Sequence, residues 1–223
     1  MLIVHHLNDS RSQRILWLLE ELGVEYEIKR YQRDPVSMLA PPELRAVHPL
    51  GKSPVVTDGA QTVAESGAII EYLLERFDRQ HRLHPPPATP ERLRYRYWLH
   101  FAEGSAMTPL LLKLVFDRID AAPKPFFVKP IARGISARVV DGFIAPNLTR
   151  ILDFMESELS TRPWFAGAEF SAADIQMSFP VELFRRRGGL DATRPKLMAF
   201  LARIHALPAY QRALDRGGAY ALV

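Results

Sequence analysis

The run His84-Pro85-Pro86-Pro87-Ala88-Thr89-Pro90 divides the chain into two stretches with different periodicities. Proline fixes φ and has no backbone N–H, so prolines at this density cannot continue a helix and form a stiff, extended connector. Before the run, short β-favouring segments alternate with helical patterns. After it, strand signals are absent and every long segment reads as helix. The expectation is therefore α/β followed by all-α: one unit over residues 1–80, a linker over 81–90, and a helical unit over 91–223. With 223 residues, 48% of them apolar, the chain has material for a substantial core.

In the first unit, Leu2 to His6 is a short β run ending in the polar loop Leu7-Asn8-Asp9-Ser10. From Ser12 the residues Ile15, Leu16, Leu18, Leu19 and Leu22 recur at helical spacing, and Gly23 stops the helix. Val24 to Tyr31 alternates in period two, which completes a βαβ unit. Pro41 to Val47 fits a short helix with proline in its first turn. Two more strands follow around the Asp58-Gly59 turn, and a helix runs from Ser66 to Phe77. In the second unit the helices expected are Glu91 to Ile119, bent at Thr108-Pro109; Phe127 to Leu159, interrupted near Pro146; Ala172 to Arg187; and Pro195 to Ala206. Ser171 with Asp174 forms a capping-box pattern, a folding signal rather than chemistry. Arg185-Arg186-Arg187 ends a helix, where cations complement its dipole.

The stretch His48-Pro-Leu-Gly-Lys-Ser-Pro-Val-Val56 constrains chemistry as well as fold. Pro54 cannot donate to a sheet, so it stands at a strand's start or edge and leaves the backbone of Ser53 free to pair with another chain. A little further on, Glu65-Ser66 sets a carboxylate and a hydroxyl at a helix N-terminus, where free N–H groups and the dipole attract an anion. An unpaired edge beside these groups suits a small peptide carrying both an amino group and a carboxylate.

Ser10-Arg-Ser-Gln-Arg-Ile-Leu-Trp-Leu-Leu-Glu-Glu-Leu22, the His48 run, Ala64-Glu-Ser-Gly67 and Ser171-Ala-Ala-Asp-Ile175, in this order and spacing, resemble the cytosolic glutathione S-transferases over nearly the whole chain. Ala40-Pro-Pro-Glu-Leu44, Glu103-Gly-Ser105 and Met177-Ser-Phe-Pro180 are similar to the bacterial and fungal members, of the serine type. The resemblance implies a thioredoxin-like N-terminal domain, a helical C-terminal domain that contributes the electrophile pocket, a homodimer, and conjugation of glutathione to a hydrophobic electrophile. It also implies the roles of particular residues. Ser10, with Ser12 as the alternative, would hold the glutathione sulfur; either serine could instead be only the helix N-cap. Ser66 would take the γ-glutamyl carboxylate and Glu65 the amino group, although the pair also reads as a helix cap. Ser53, before Pro54, would exchange backbone hydrogen bonds with the cysteinyl part. Lys52 would reach the glycine carboxylate; several classes add a basic residue in the preceding helix, for which Ala40 to Leu44 offers none and Arg30, Arg33 or Arg45 could substitute.

The chemistry expected of Ser10 is concrete. A glutathione thiol titrates near pH 8.5, so little of it is thiolate at neutral pH. A hydroxyl donating to the sulfur at a helix N-terminus lowers that pKa, and a drop of about two units corresponds to about 2.7 kcal/mol. His6, Asn8 and Asp9 lie close by, Asp9 opposing a thiolate. Trp98, Phe101, Met107 and Leu111 could line an apolar electrophile pocket or face the core.

Other classes are bounded by composition. The chain has no cysteine, which excludes disulfides, thiolate metal sites and a cysteine nucleophile, so any thiol must arrive with the substrate. Its seven histidines show no metal-ligand spacing, and no metal is expected. The net charge of +4 comes from scattered basic residues, which is weak support for nucleic acid, and none is expected. No apolar run reaches the roughly 20 residues of a membrane span, and no signal peptide precedes the first strand, so the expected compartment is the cytoplasm. Glutathione-dependent peroxide or disulfide reduction would use the same thiolate, and a protein that binds without turnover would keep the same fold.

Overall fold

In the computed structural model, which describes residues 1–221, four strands form one sheet: β1 (Leu2–Leu7), β2 (Glu27–Tyr31), β3 (Val55–Asp58) and β4 (Gln61–Ala64), ordered β2-β1-β3-β4. β1 pairs in parallel with β2, in the register Val4 to Ile28, and antiparallel with β3, Val4 to Val56. β3 and β4 form a hairpin about Gly59, whose φ of 59° is the left-handed conformation its turn needs. α1 (Ser12–Leu22) crosses from β1 to β2, and α2 (Pro42–Val47) and α3 (Ser66–Phe77) complete this part. β2 starts at Glu27, three residues later than the alternation predicts, because its exposed edge leaves little to distinguish strand from loop.

The helical part comprises α4 (Pro90–Phe101), α5 (Met107–Ala121), α6 (Lys129–Val139), α7 (Ala145–Thr161), α8 (Ala172–Leu183), α9 (Pro195–His205) and α10 (Pro208–Gly217). Three π-helical turns extend or join them: Ala102–Ala106, Val140–Ile144 and Phe184–Gly188. Two lie beside a helical proline, at Pro109 and Pro146, where the missing N–H is accommodated by a widened turn rather than a break; the third follows Pro180, whose freed carbonyl, Gln176 O, accepts from Arg14 Nη1. Side chains bond carbonyls of two of these turns: Thr108 Oγ1 donates to Gly104 O at 2.8 Å and Asn147 Nδ2 to Phe143 O at 2.8 Å. The bend expected at Thr108-Pro109 is thus a π turn just ahead of it. α10 buries Ala209, Tyr210, Ala213 and Gly217, three of them small, on a helix whose other faces are strongly polar.

One apolar core runs through both parts. α1 packs on α10 and α8, and Leu16, Trp17 and Leu19 share a cluster with Ile175, Tyr210 and Ala213. The proline-rich segment is anchored: Asp78 accepts from Arg82 N at 3.0 Å, Leu83 N at 2.8 Å and His84 Nδ1 at 3.0 Å, and Leu83 O accepts from Ala172 N at 2.7 Å. The capping box forms at the start of α8. Asp174 accepts from Ser171 N and Phe165 N, both at 2.9 Å, and burial pushes its carboxyl up to about 7 despite these donors.

Candidate functional site

Three loops meet at the C-terminal end of β1. The β1–α1 loop turns at Asp9, whose φ of 48° is left-handed, and delivers Ser10 just ahead of α1. Ser10 and Ser12 are both buried and linked, Oγ to Oγ, at 2.7 Å. Ser12 Oγ also lies 2.8 Å from His6 Nδ1 and 3.4 Å from Leu7 O. Burial, reinforced by Arg30 and opposed by Asp9, lowers His6 to about 4, so the imidazole is neutral at pH 7. Ser10 Oγ accepts the backbone N–H of Ser12 at 3.2 Å, while Arg11 occupies the N-cap position without a side-chain bond.

Ser53 closes this group from the third loop. Its peptide bond to Pro54 is cis, and its hydroxyl donates to His5 O at 2.9 Å, tying the loop to β1. Ser10 Oγ donates to Ser53 Oγ across 3.4 Å, a long bond. Among the described residues the backbone N–H and C=O of Ser53 have no partner. Pro54 is buried and Lys52 exposed. Arg45 reaches the same loop: a Cβ on Gly51 would lie 2.6 Å from Arg45 Cγ. Arg30 is instead bonded to Arg216 O on α10, and Arg33 to Asn8 O and Met38 O.

Glu65 sits before α3 with a φ of 69°, uncommon for a non-glycine residue, and its side chain is exposed. It takes the N-cap position by backbone alone, so Ser66 is the first residue of α3 and not its cap. The hydroxyl of Ser66 is free of a capping bond, and the first-turn N–H groups of α3 have no intrahelical acceptor.

The four apolar residues considered for an electrophile pocket separate. Trp98 is wholly buried, its ring 4.6 Å from Phe165 and 4.9 Å from Phe101. Phe101 and Met107 are also buried, whereas Leu111 is 57% exposed. The extra residue of the π turn at Ala102–Ala106 shifts the helical register between α4 and α5, which a constant 3.6-residue period cannot anticipate.

Sequence reasoning missed a buried ion pair between the two parts. Arg14, 2% exposed and set among the buried residues of α1, pairs through Nη2 with Glu103 of the π turn and donates from Nη1 to Gln176 O at 2.6 Å. Glu103 also lies 2.9 Å from Arg11 Nε. Burial alone would raise Glu103, but Arg14 and Arg11 hold it below the ordinary range. An arginine inside an apolar helical face is the signal that marks such a pair.

A model of the glutathione S-transferase N-terminal domain matches residues 1–75, and one of the C-terminal domain matches residues 145–208. Glutathione S-transferase 1 of Saccharomyces cerevisiae is 33% identical, over 97% of this chain and 95% of its own. The chain belongs to the glutathione S-transferase family. Glutathione S-transferase 3 of Schizosaccharomyces pombe is 38% identical over 81% of this chain and 73% of its own. A glutathione S-transferase structure from Actinobacillus pleuropneumoniae, 32% identical, superposes with a TM-score of 0.79 over 100% of this chain and 95% of that one. The fold is accordingly that of the transferases, a thioredoxin-like sheet unit followed by a helical region. Among the described residues no helix is long and apolar enough to cross a membrane.

Proposed function

We propose that this glutathione S-transferase family member conjugates glutathione to an electrophile, with the Ser10 hydroxyl holding the bound sulfur as a thiolate. The observation that carries this reading is how the three serine hydroxyls are engaged. Ser53 gives its proton to His5 O at 2.9 Å, and Ser12 has His6 Nδ1 and Leu7 O as inward partners. With Ser12 donating inward, the 2.7 Å contact has Ser10 donating to Ser12, and on binding Ser10 exchanges that bond for one to the incoming sulfur, its other contact, to Ser53, being a long 3.4 Å. Ser12 is wholly enclosed and acts as the support that orients Ser10. The remaining roles follow the unpaired groups: the Ser53 backbone at Pro54 for the cysteinyl unit, Ser66 with the first turn of α3 for the γ-glutamyl carboxylate, Glu65 for the amino group, and Lys52 with Arg45 for the glycine carboxylate.

In the reaction the thiolate sulfur forms a bond to the electrophilic carbon, and the leaving group departs with its electron pair. No covalent enzyme intermediate is needed; lowering the thiol pKa and holding the partners together supply the rate. A homodimer is part of the reading. Leu93 and Tyr97 on α4 are exposed, and Tyr97 lies 6.4 Å, centroid to centroid, from Phe154 on α7, giving an apolar strip for a second copy. The test is turnover by the purified protein with glutathione and a chlorinated aromatic, then with a hydroperoxide. Conjugation of the chlorinated aromatic is the expected result; reduction of the hydroperoxide without conjugation would replace this reading by a peroxidase, and glutathione binding without either turnover by a binding protein.

A further inference from the structure

Behind Ser10 a chain of polar side chains runs to a second cavity. Ser10 Oγ lies 2.7 Å from Ser12 Oγ, which lies 2.8 Å from His6 Nδ1, and all three side chains are buried. His6 lines a cavity of about 380 Å³ between the end of β1, the end of β2 and the chain end, together with Asn8, Asp9, Arg30 and Tyr220. Ser10, Ser53 and Ser66 are not among its walls, so it is separate from the surface proposed for glutathione. With Nδ1 taken by Ser12, His6 Nε2 has no protein partner among the described residues; it is not enclosed either, so it opens onto this cavity. Asn8, Asp9 and Arg30 supply the polar partners that water needs there. Asp9 is held in place by the Ala221 N–H, which donates to Oδ1 at 2.7 Å.

Ser10 cannot both receive the thiol's proton and donate to the thiolate unless its own proton moves on. In the empty site that proton is directed at Ser12, and the Ser12 proton at His6. Rotation of Ser10 alone would take a donor from the enclosed Ser12 Oγ and leave the thiol proton still to be removed, on a side that a bound electrophile closes to water. A neutral imidazole has one acceptor and one donor nitrogen, so it can take a proton at Nδ1 and release another from Nε2. Burial, reinforced by Arg30, keeps His6 neutral; Asp9 opposes this and gives an emerging proton a nearby anion.

We propose that Ser10, Ser12 and His6 form a proton relay that carries the glutathione thiol's proton into the second cavity, with His6 as its exit. This rests on the transferase reading and adds the route by which the thiol is deprotonated. The thiol proton passes to Ser10 Oγ, the Ser10 proton to Ser12 Oγ, the Ser12 proton to His6 Nδ1, and the Nε2 proton to a water in the cavity, while the electron pair of the S–H bond stays on sulfur. Each bond in the chain then points the other way, and Ser10 donates to the thiolate. After the product leaves, loss of the Ser10 proton to the cleft and uptake of one at Nε2 restore the starting arrangement.

The test follows thiolate absorbance after rapid mixing of the full protein with saturating glutathione at about pH 7, where free glutathione is almost wholly thiol. His6→Ala is expected to slow its appearance by about tenfold or more. Added imidazole should restore the rate, since the cavity admits it, whereas 1-methylimidazole, which can accept from Ser12 but has no N–H to pass on, should not. A native rate in His6→Ala, or rescue by both bases or by neither, overturns the relay and leaves His6 as a support for Ser12. If circular dichroism shows His6→Ala unfolded, the native protein decides: protons moving together make the rate fall along a curve as deuterium replaces hydrogen in the solvent, and a straight line, the mark of a single proton, overturns the proposal. The plateau is scored apart from the rate. No thiolate at the plateau defeats the transferase reading and the relay with it; a thiolate plateau reached at an unchanged rate in His6→Ala defeats the relay alone.

Discussion

At Ser10 the outcome turns on one hydroxyl proton, and the group that fixes its direction is His6. A protonated His6 could only donate, which would reverse the bond with Ser12 Oγ and disturb the Ser12–Ser10 contact at 2.7 Å. With a folded pKa of about 4 against 6.5 unfolded, His6 contributes stability that is complete above about pH 6.5. That stability is lost as pH falls from there through about 4, because the unfolded chain binds the proton first. Buried Asp174 titrates in the same window with the opposite sign in both proteins, so His6 is read as the difference between native and His6→Asn in urea unfolding at stepped pH, where the native protein should lose at most about 3 kcal/mol more than the variant. An unchanged slope in the variant would remove His6 as its source. That Ser10 precedes a helix, that Ser53 stands before Pro54 at a strand's start and that Glu65-Ser66 opens a helix was legible in the sequence, because proline and helix starts leave local signals; their roles toward glutathione came only from the family resemblance. The His6–Ser12 bond was not legible, since it depends on β1 and α1 packing side by side.

The elements joining the two parts are held by charge as well as by apolar packing. Arg14 is wholly enclosed and its partner Glu103 is one-third exposed, so Glu103→Ala would strand a buried cation. The expected loss is about 2–3 kcal/mol, below that of a fully buried pair, read from the shift in urea midpoint. A loss under about 0.5 kcal/mol would mean that water replaces the carboxylate. At this scale the helices were readable from apolar periodicity, and the proline-rich break stood where the strand signals end. The π turns were not, because a proline in the sequence announces a disturbance without saying whether the helix bends, ends or widens. α10 was hidden for a different reason: small residues bury it against α1, where Leu16 and Gln13 would meet any Cβ on Gly217.

For the molecule as a whole, the core that runs from the sheet through α1 to α8 and α10 makes the two parts one cooperative unit. Thermal unfolding should give one transition by both fluorescence and circular dichroism; two separated transitions would contradict a shared core. Light scattering should give twice the 25.4 kDa chain mass if the strip of Leu93, Tyr97 and Phe154 is covered by a second copy, and Tyr97→Glu should return the mass to that of one chain. The sequence order of the elements implied the architecture, whereas the burial of Trp98, Phe101 and Met107 depended on the register shift at the Ala102–Ala106 π turn. The most direct test of the whole account is the thiol pKa of bound glutathione, followed by ultraviolet thiolate absorbance across pH in the native protein and in Ser10→Ala. We predict a bound thiol about one to two units below the ordinary value near 8.5, rising by about a unit or more in the variant; a titration curve that Ser10→Ala leaves in place would contradict it.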